Sequence, residues 1–99
     1  MESGYKVVWT KHALAELGQT LKFVEKKRTA KELKRLAVEL ERITQLLQSN
    51  PLLFQKAQHE IRRVVVVKYN TLYYRIAGNE VQVLSFFSNR QNPDRLALD

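Results

Sequence analysis

Apolar residues recur along this chain with two different periods, and the change falls near its middle. Tyr5-Lys-Val-Val-Trp9 is aromatic and β-branched, as a short strand requires. Thr10 follows at the place of a helix N-cap, so a helix is predicted from Lys11. Leu14, Leu17, Leu21 and Val24 repeat at helical spacing as one apolar stripe, with Glu16, Gln19, Lys22 and Lys26 elsewhere on the wheel. Gly18 interrupts this helix at a cost of about 1 kcal/mol against alanine, which close packing would explain. The charged run Glu25-Lys-Lys-Arg28 ends it. Thr29-Ala-Lys-Glu32 has the form of a capping box, opening a second helix along which Leu33, Leu36, Ala37, Leu40, Ile43 and Leu47 form a buried seam. Lys34, Arg35, Glu39 and Arg42 then face water. Ser49-Asn-Pro51 stops the helix, because proline disfavours helical geometry in the residue before it. The two helices are expected to pair as an antiparallel hairpin.

Residues 52–60 read as a connection, after which the period becomes two. Ile61–Lys68, Leu72–Ile76 and Glu80–Phe87 are rich in Val, Tyr, Phe and Ile, and are separated by the turn segments Tyr69-Asn-Thr71 and Ala77-Gly-Asn79. These spacings predict an antiparallel meander. In its middle strand Leu72, Tyr74 and Ile76 point one way, while Tyr73 and Arg75 point the other. In its first strand Arg62, Val64, Val66 and Lys68 share a side with charge at both ends, and this side is expected to be the open one. Arg63 would then need a bulge, or a reach past the sheet edge. The fold class expected is α+β in two layers: a short N-terminal strand, an antiparallel helix hairpin and a three-stranded antiparallel meander.

Composition narrows the function. The 99 residues make one domain, 1–99, able to bury roughly two-thirds of the surface its unfolded chain exposes. Seventeen Lys+Arg against ten Asp+Glu leave a formal charge of +7, which favours a polyanionic or acidic partner. The absence of cysteine excludes disulfides and thiolate chemistry, and His12 and His59 are too far apart to suggest a zinc site. No metal or other cofactor is expected. No apolar run has the length of a membrane span, and the start lacks a secretory signal, so a cytoplasmic protein is expected.

The chemistry-bearing residues cluster in and after the meander. Arg62, Lys68, Tyr73, Arg75 and Arg90 form the candidate binding set for an anionic or protein target. His59 is either a general base with an intrinsic pKa near neutrality or a solvated residue of the connection. Tyr73 either stacks on a base and passes protons or packs against neighbouring strands. Arg90 leaves the sheet from a held position between two phenylalanines and Pro93; its bland role is an ion pair with Asp94 or Glu60. The cluster Lys26–Arg28 reads as a solvated helix end that could add a weak phosphate contact.

The strand, the helix pair and the meander, with Tyr-Lys-Val-Val-Trp-Thr, Ile-Arg-Arg, Leu-Tyr-Tyr-Arg-Ile and Asn-Arg-Gln-Asn-Pro, resemble the RelE/ParE superfamily. Its members are toxins of bacterial type II toxin–antitoxin systems, and the resemblance runs from Tyr5 to Leu96. It implies a basic toxin held by a cognate antitoxin in a hetero-oligomer. RelE-like members cut messenger RNA on the ribosome, by attack of a ribose 2′-hydroxyl on the adjacent phosphate; this needs a base, an acid and cations. ParE-like members bind DNA gyrase and need only a surface.

Carried over by position, Arg62 and Arg90 match basic residues of the RelE-like enzymes. Thr71 stands where those enzymes have an arginine, and Leu96 near the place of their C-terminal tyrosine. The incomplete set points to growth inhibition by binding gyrase. The alternative is a ribosome-dependent mRNA endoribonuclease using Arg62 and Arg90, with His59 as a substitute base. A second alternative is an inactive, toxin-derived protein-binding module.

Overall fold

The computed structural model describes residues 4–27, 30–67, 70–89 and 96. Strand β1 (Lys6–Trp9) leads into helix α1 (Lys11–Lys27) and helix α2 (Ala30–Ser49). A single 3-10 turn, Pro51–Leu53, precedes strands β2 (Lys56–Gln58), β3 (Ile61–Val67), β4 (Asn70–Ala77) and β5 (Glu80–Ser88). The α+β class and the order strand, helix pair, meander are those expected. Residues 52–60 hold a strand that was read as connection, and the sheet therefore has five strands in the order β1-β5-β4-β3-β2. A three-residue strand without apolar alternation leaves no periodic signal to find.

Thr10 shows how the first half is joined to the second. Its hydroxyl accepts from the amide of Ala13 at 3.2 Å, which is the N-cap bond expected, and donates to the carbonyl of Val83 at 2.9 Å. The helix start is thereby tied to the strand that β1 has just left. β1 lies parallel to β5, from Lys6 opposite Glu80 to Trp9 opposite Val83. The other strand pairs are antiparallel, and Gly78 supplies the positive φ of 62° that the β4–β5 turn demands.

Both helices cover one face of the sheet. Ala13 from α1, Leu36, Ile43 and Leu47 from α2, and Val64, Val66, Leu72, Tyr74, Val81, Val83 and Phe86 from the strands make the core. Trp9 lies against Phe86 with ring centroids 6.0 Å apart, in a tilted contact. Leu17 and Val24 pack on this core, as the helical stripe required. Leu14 and Leu21 do not close over, and remain 51% and 37% exposed on the flank of α1. The capping box at Thr29 lies outside the described residues.

Close packing does not explain Gly18. A Cβ built there meets nothing within 4 Å, and the residue has no positive φ. Gly18→Ala is therefore expected to stabilise the protein by about 0.5–1 kcal/mol, through helix propensity alone. A higher urea midpoint with an unchanged slope would show it.

Candidate functional site

The sheet face turned away from the helices is the candidate surface, and strand pairing decides what reaches it. Val64 and Val66 are buried in the core, so alternation puts Arg62 on their side and Arg63 and Val65 on the other. The expected assignment for this strand is thus reversed, because two buried valines outweigh the charges at its ends. Arg63 needs no bulge: it is exposed on the open face, paired across the ladder with Tyr73.

Arg62 lies on the helix side, half-buried. Its Nη1 donates to the carbonyl of Phe54 at 2.7 Å, which pins the connection after α2 against β3. Tyr74, its cross-strand neighbour, is fully buried, and its hydroxyl donates to the carbonyl of Pro51 at 2.5 Å. Burial pushes the Tyr74 phenol up to about 12, while the Arg62 guanidinium pulls the other way.

On the open face Tyr73 and Phe87 form a second apolar cluster with Ile61 and Leu96. Tyr73 is only 9% exposed, so it packs against its neighbours and offers no ring for stacking on a base. Leu96 is apolar filler for this cluster. Thr71 is buried too, its hydroxyl 3.1 Å from the Asn89 amide oxygen. Leu96→Ala is expected to cost about 1–2 kcal/mol, below the range for a fully buried leucine, since Leu96 is half-buried. A thermal melt measures the cost.

Arg75 is exposed on the same face, with its Nε donating to Gln82 Oε1 at 3.0 Å. The open face therefore presents two guanidiniums, those of Arg63 and Arg75, and the exposed Val65, over a covered apolar cluster. Such a surface can hold an anionic or mixed partner. Among the described residues it carries no group that exchanges protons near neutral pH.

His59 is exposed in the turn between β2 and β3, with a φ of 49°. Histidine is among the residues enriched at positive φ, and a turn role accounts for its position. Lys68 and Arg90 lie outside the described residues. Among the described residues no group of three or more His, Cys, Asp or Glu could hold a metal ion, and no helix is long and apolar enough to cross a membrane.

Sequence reading missed Glu16. It lies off the apolar stripe of α1, yet its side chain is only 13% exposed, and Oε1 accepts from the Ser85 hydroxyl at 2.6 Å and the Phe86 amide at 2.9 Å. His12 Nε2 stands 3.4 Å from the other oxygen. A carboxylate one step off an apolar stripe was the only available signal.

No model of a known protein family matches the chain. No curated protein matches it at a significant level either. Solved structures do. A chain of the chromosomal ParDE toxin–antitoxin system from P. aeruginosa aligns with a TM-score of 0.68 at 15% identity, over 88% of this chain and 98% of that one. A YoeB/ParE toxin from Agrobacterium tumefaciens aligns at 0.60 and 12% identity, over 84% and 96%. The YoeB–YefM complex from Staphylococcus aureus contains a chain that aligns at 0.58 and 10% identity, over 83% and 93%.

Proposed function

We propose that this chain, which has the RelE/ParE-superfamily fold, is the toxin component of a type II toxin–antitoxin system, arresting growth until a cognate antitoxin covers it. The observation that carries the reading is the extent of the fold match. The ParDE-system chain is covered almost end to end.

Two modes of action compete. Binding of DNA gyrase asks only for a surface, and the open face with exposed Arg63, Val65 and Arg75 supplies one. Cleavage of mRNA on the ribosome would use Arg62 and Arg90. The similar structures carry both the ParDE and the YoeB names, which keeps this second mode open. The side-chain geometry weighs the other way: Arg62 is engaged with Phe54 on the helix side, and Tyr73 is covered.

One experiment tests the reading and separates the modes. The chain is expressed under tight control while growth, mRNA ends on ribosomes and supercoiling by purified gyrase are followed. Growth arrest is expected. Codon-phased cleavage that disappears in Arg90→Ala would establish the nuclease mode; gyrase inhibition with intact mRNA would establish the binding mode. Unimpaired growth with neither signal would overturn the toxin reading.

A further inference from the structure

The charge of the chain is concentrated in one stretch of the sequence. Residues 22–35 hold seven Lys+Arg against Glu25 and Glu32, which is +5 of the chain's +7. We propose that the outer face of the helix-hairpin tip, where α1 ends and α2 begins, binds the phosphate backbone of a double-helical nucleic acid.

The geometry of the two helices builds this face. Lys22 and Lys26 are one turn apart on α1, opposite the buried side that carries Ala13, Leu17 and Val24. Lys31, Lys34 and Arg35 are likewise three and four residues apart on α2, opposite Leu36, Leu40, Ile43 and Leu47. All five are exposed, and none has an ion-pair partner among the described residues, whereas Arg42 further along α2 is tied to Glu39 at 2.9 Å. Their placement also opposes the helix. Lys31 and Lys34 stand at the positive end of the α2 dipole, where acidic residues stabilise, and Glu32 alone offsets them in the first turn. A helix selected for stability alone would carry the opposite charge there.

The composition of the face selects the partner. Protein interfaces are depleted in lysine and built around aromatic and apolar anchors, but this face is four-fifths lysine; Val38 is exposed beside it, and Leu21 and Phe23 are exposed to a smaller extent on the flanks of α1. An interfacial membrane helix would turn its apolar side to lipid, and here Leu17 and Val24 of α1 and Leu36, Leu40, Ile43 and Leu47 of α2 are spent on the core, with Leu14 and Leu21 left on the flank of α1. Unstacked single strands need aromatic platforms; Phe23, the nearest ring, lines the groove between α1 and β5 instead. Gln19, which could read a base edge, lines that same groove. What remains is point charge aimed at phosphate, without sequence readout.

The inference stands whether or not the chain arrests growth. Its test is fluorescence anisotropy of a labelled RNA duplex and a DNA duplex of the same sequence, across a series of salt concentrations. Each lysine removed in K22Q/K26Q/K31Q/K34Q should flatten the slope of log affinity against log salt by about 0.9, lowering affinity about 100-fold or more near physiological salt. The quadruple variant should melt no lower than the parent, since it relieves repulsion at the α2 end. R63Q/R75Q, which strips charge from the sheet face, should lose far less affinity. The comparison of the two duplexes identifies the source of the phosphates. Binding that the tip variant leaves unchanged, an equal loss in R63Q/R75Q, or no salt-dependent binding to either duplex would overturn the proposal.

Discussion

Replacing Glu16 with alanine is expected to cost the protein about 3–5 kcal/mol of stability, because two buried donors lose their acceptor together. β1 pairs with β5 only as far as Val83, yet β5 runs on to Ser88. Past that point the edge of β5 needs another partner. The Phe86 amide is the donor at risk: the Tyr73–Tyr74 irregularity of the β4–β5 ladder adds a residue to β5 just before it. Glu16 Oε1 takes this amide at 2.9 Å and the Ser85 hydroxyl at 2.6 Å, so one carboxylate from α1 continues the work of the departed strand. Ser85 and Phe86 are both fully buried, so Glu16 stands in for water at both donors. Each orphaned group contributes about 1–3 kcal/mol of the loss. Glu16→Gln should fall between, because its amide oxygen still accepts while the charge that strengthens both bonds is gone. Urea denaturation of the three proteins, with hydrogen exchange at the Phe86 amide, measures this. An alanine variant within 1 kcal/mol of the parent would show that Glu16 is dispensable for the edge.

Glu16 also marks the limit of what the sequence discloses. The helices were legible because Leu36, Ile43 and Leu47 repeat at helical spacing, and β4 because Leu72, Tyr74 and Ile76 alternate with Tyr73 and Arg75. The faces of β3 were not: its four consecutive valines are equally apolar on either side, and Arg62 and Arg63 differ only in phase. Pairing with β4 settles that phase, and pairing is a non-local property. The same holds for β2, whose Lys56–Gln58 has no pattern and becomes a strand because β3 lies beside it. The candidate surface was legible in composition and not in arrangement. Arg75 lies on the open face as expected, Tyr73 is shielded by Ile61, Phe87 and Leu96, and Arg62 belongs to the scaffold. The cationic cluster first read as a solvated helix end, Lys26–Arg28, proves to lie within the stretch that carries most of the net charge.

Tyr74 leads to the second large effect, which appears in alkaline solution. Its hydroxyl bonds the Pro51 carbonyl from inside the core, linking β4 to the turn that follows α2. Tyr74→Phe keeps the ring and its packing but leaves that buried carbonyl without its donor, at an expected cost of about 1–3 kcal/mol near neutral pH. The pH dependence follows from the raised phenol. Folding holds Tyr74 neutral up to about 12 against an ordinary value of 10.0, so the folded state keeps a proton that the unfolded state gives up first. This contribution is whole below pH 10 and is lost as pH rises toward 12. Its size is on the order of 2–3 kcal/mol, from about 1.4 kcal/mol for each unit between the two values. Denaturation midpoints followed through that range should fall for the parent. The phenylalanine variant, starting lower, should fall less and approach the parent at the alkaline end, since it has no phenol to titrate. If the two proteins lose stability in parallel, the alkaline loss comes from other groups, and Tyr74 is not the proton that folding holds.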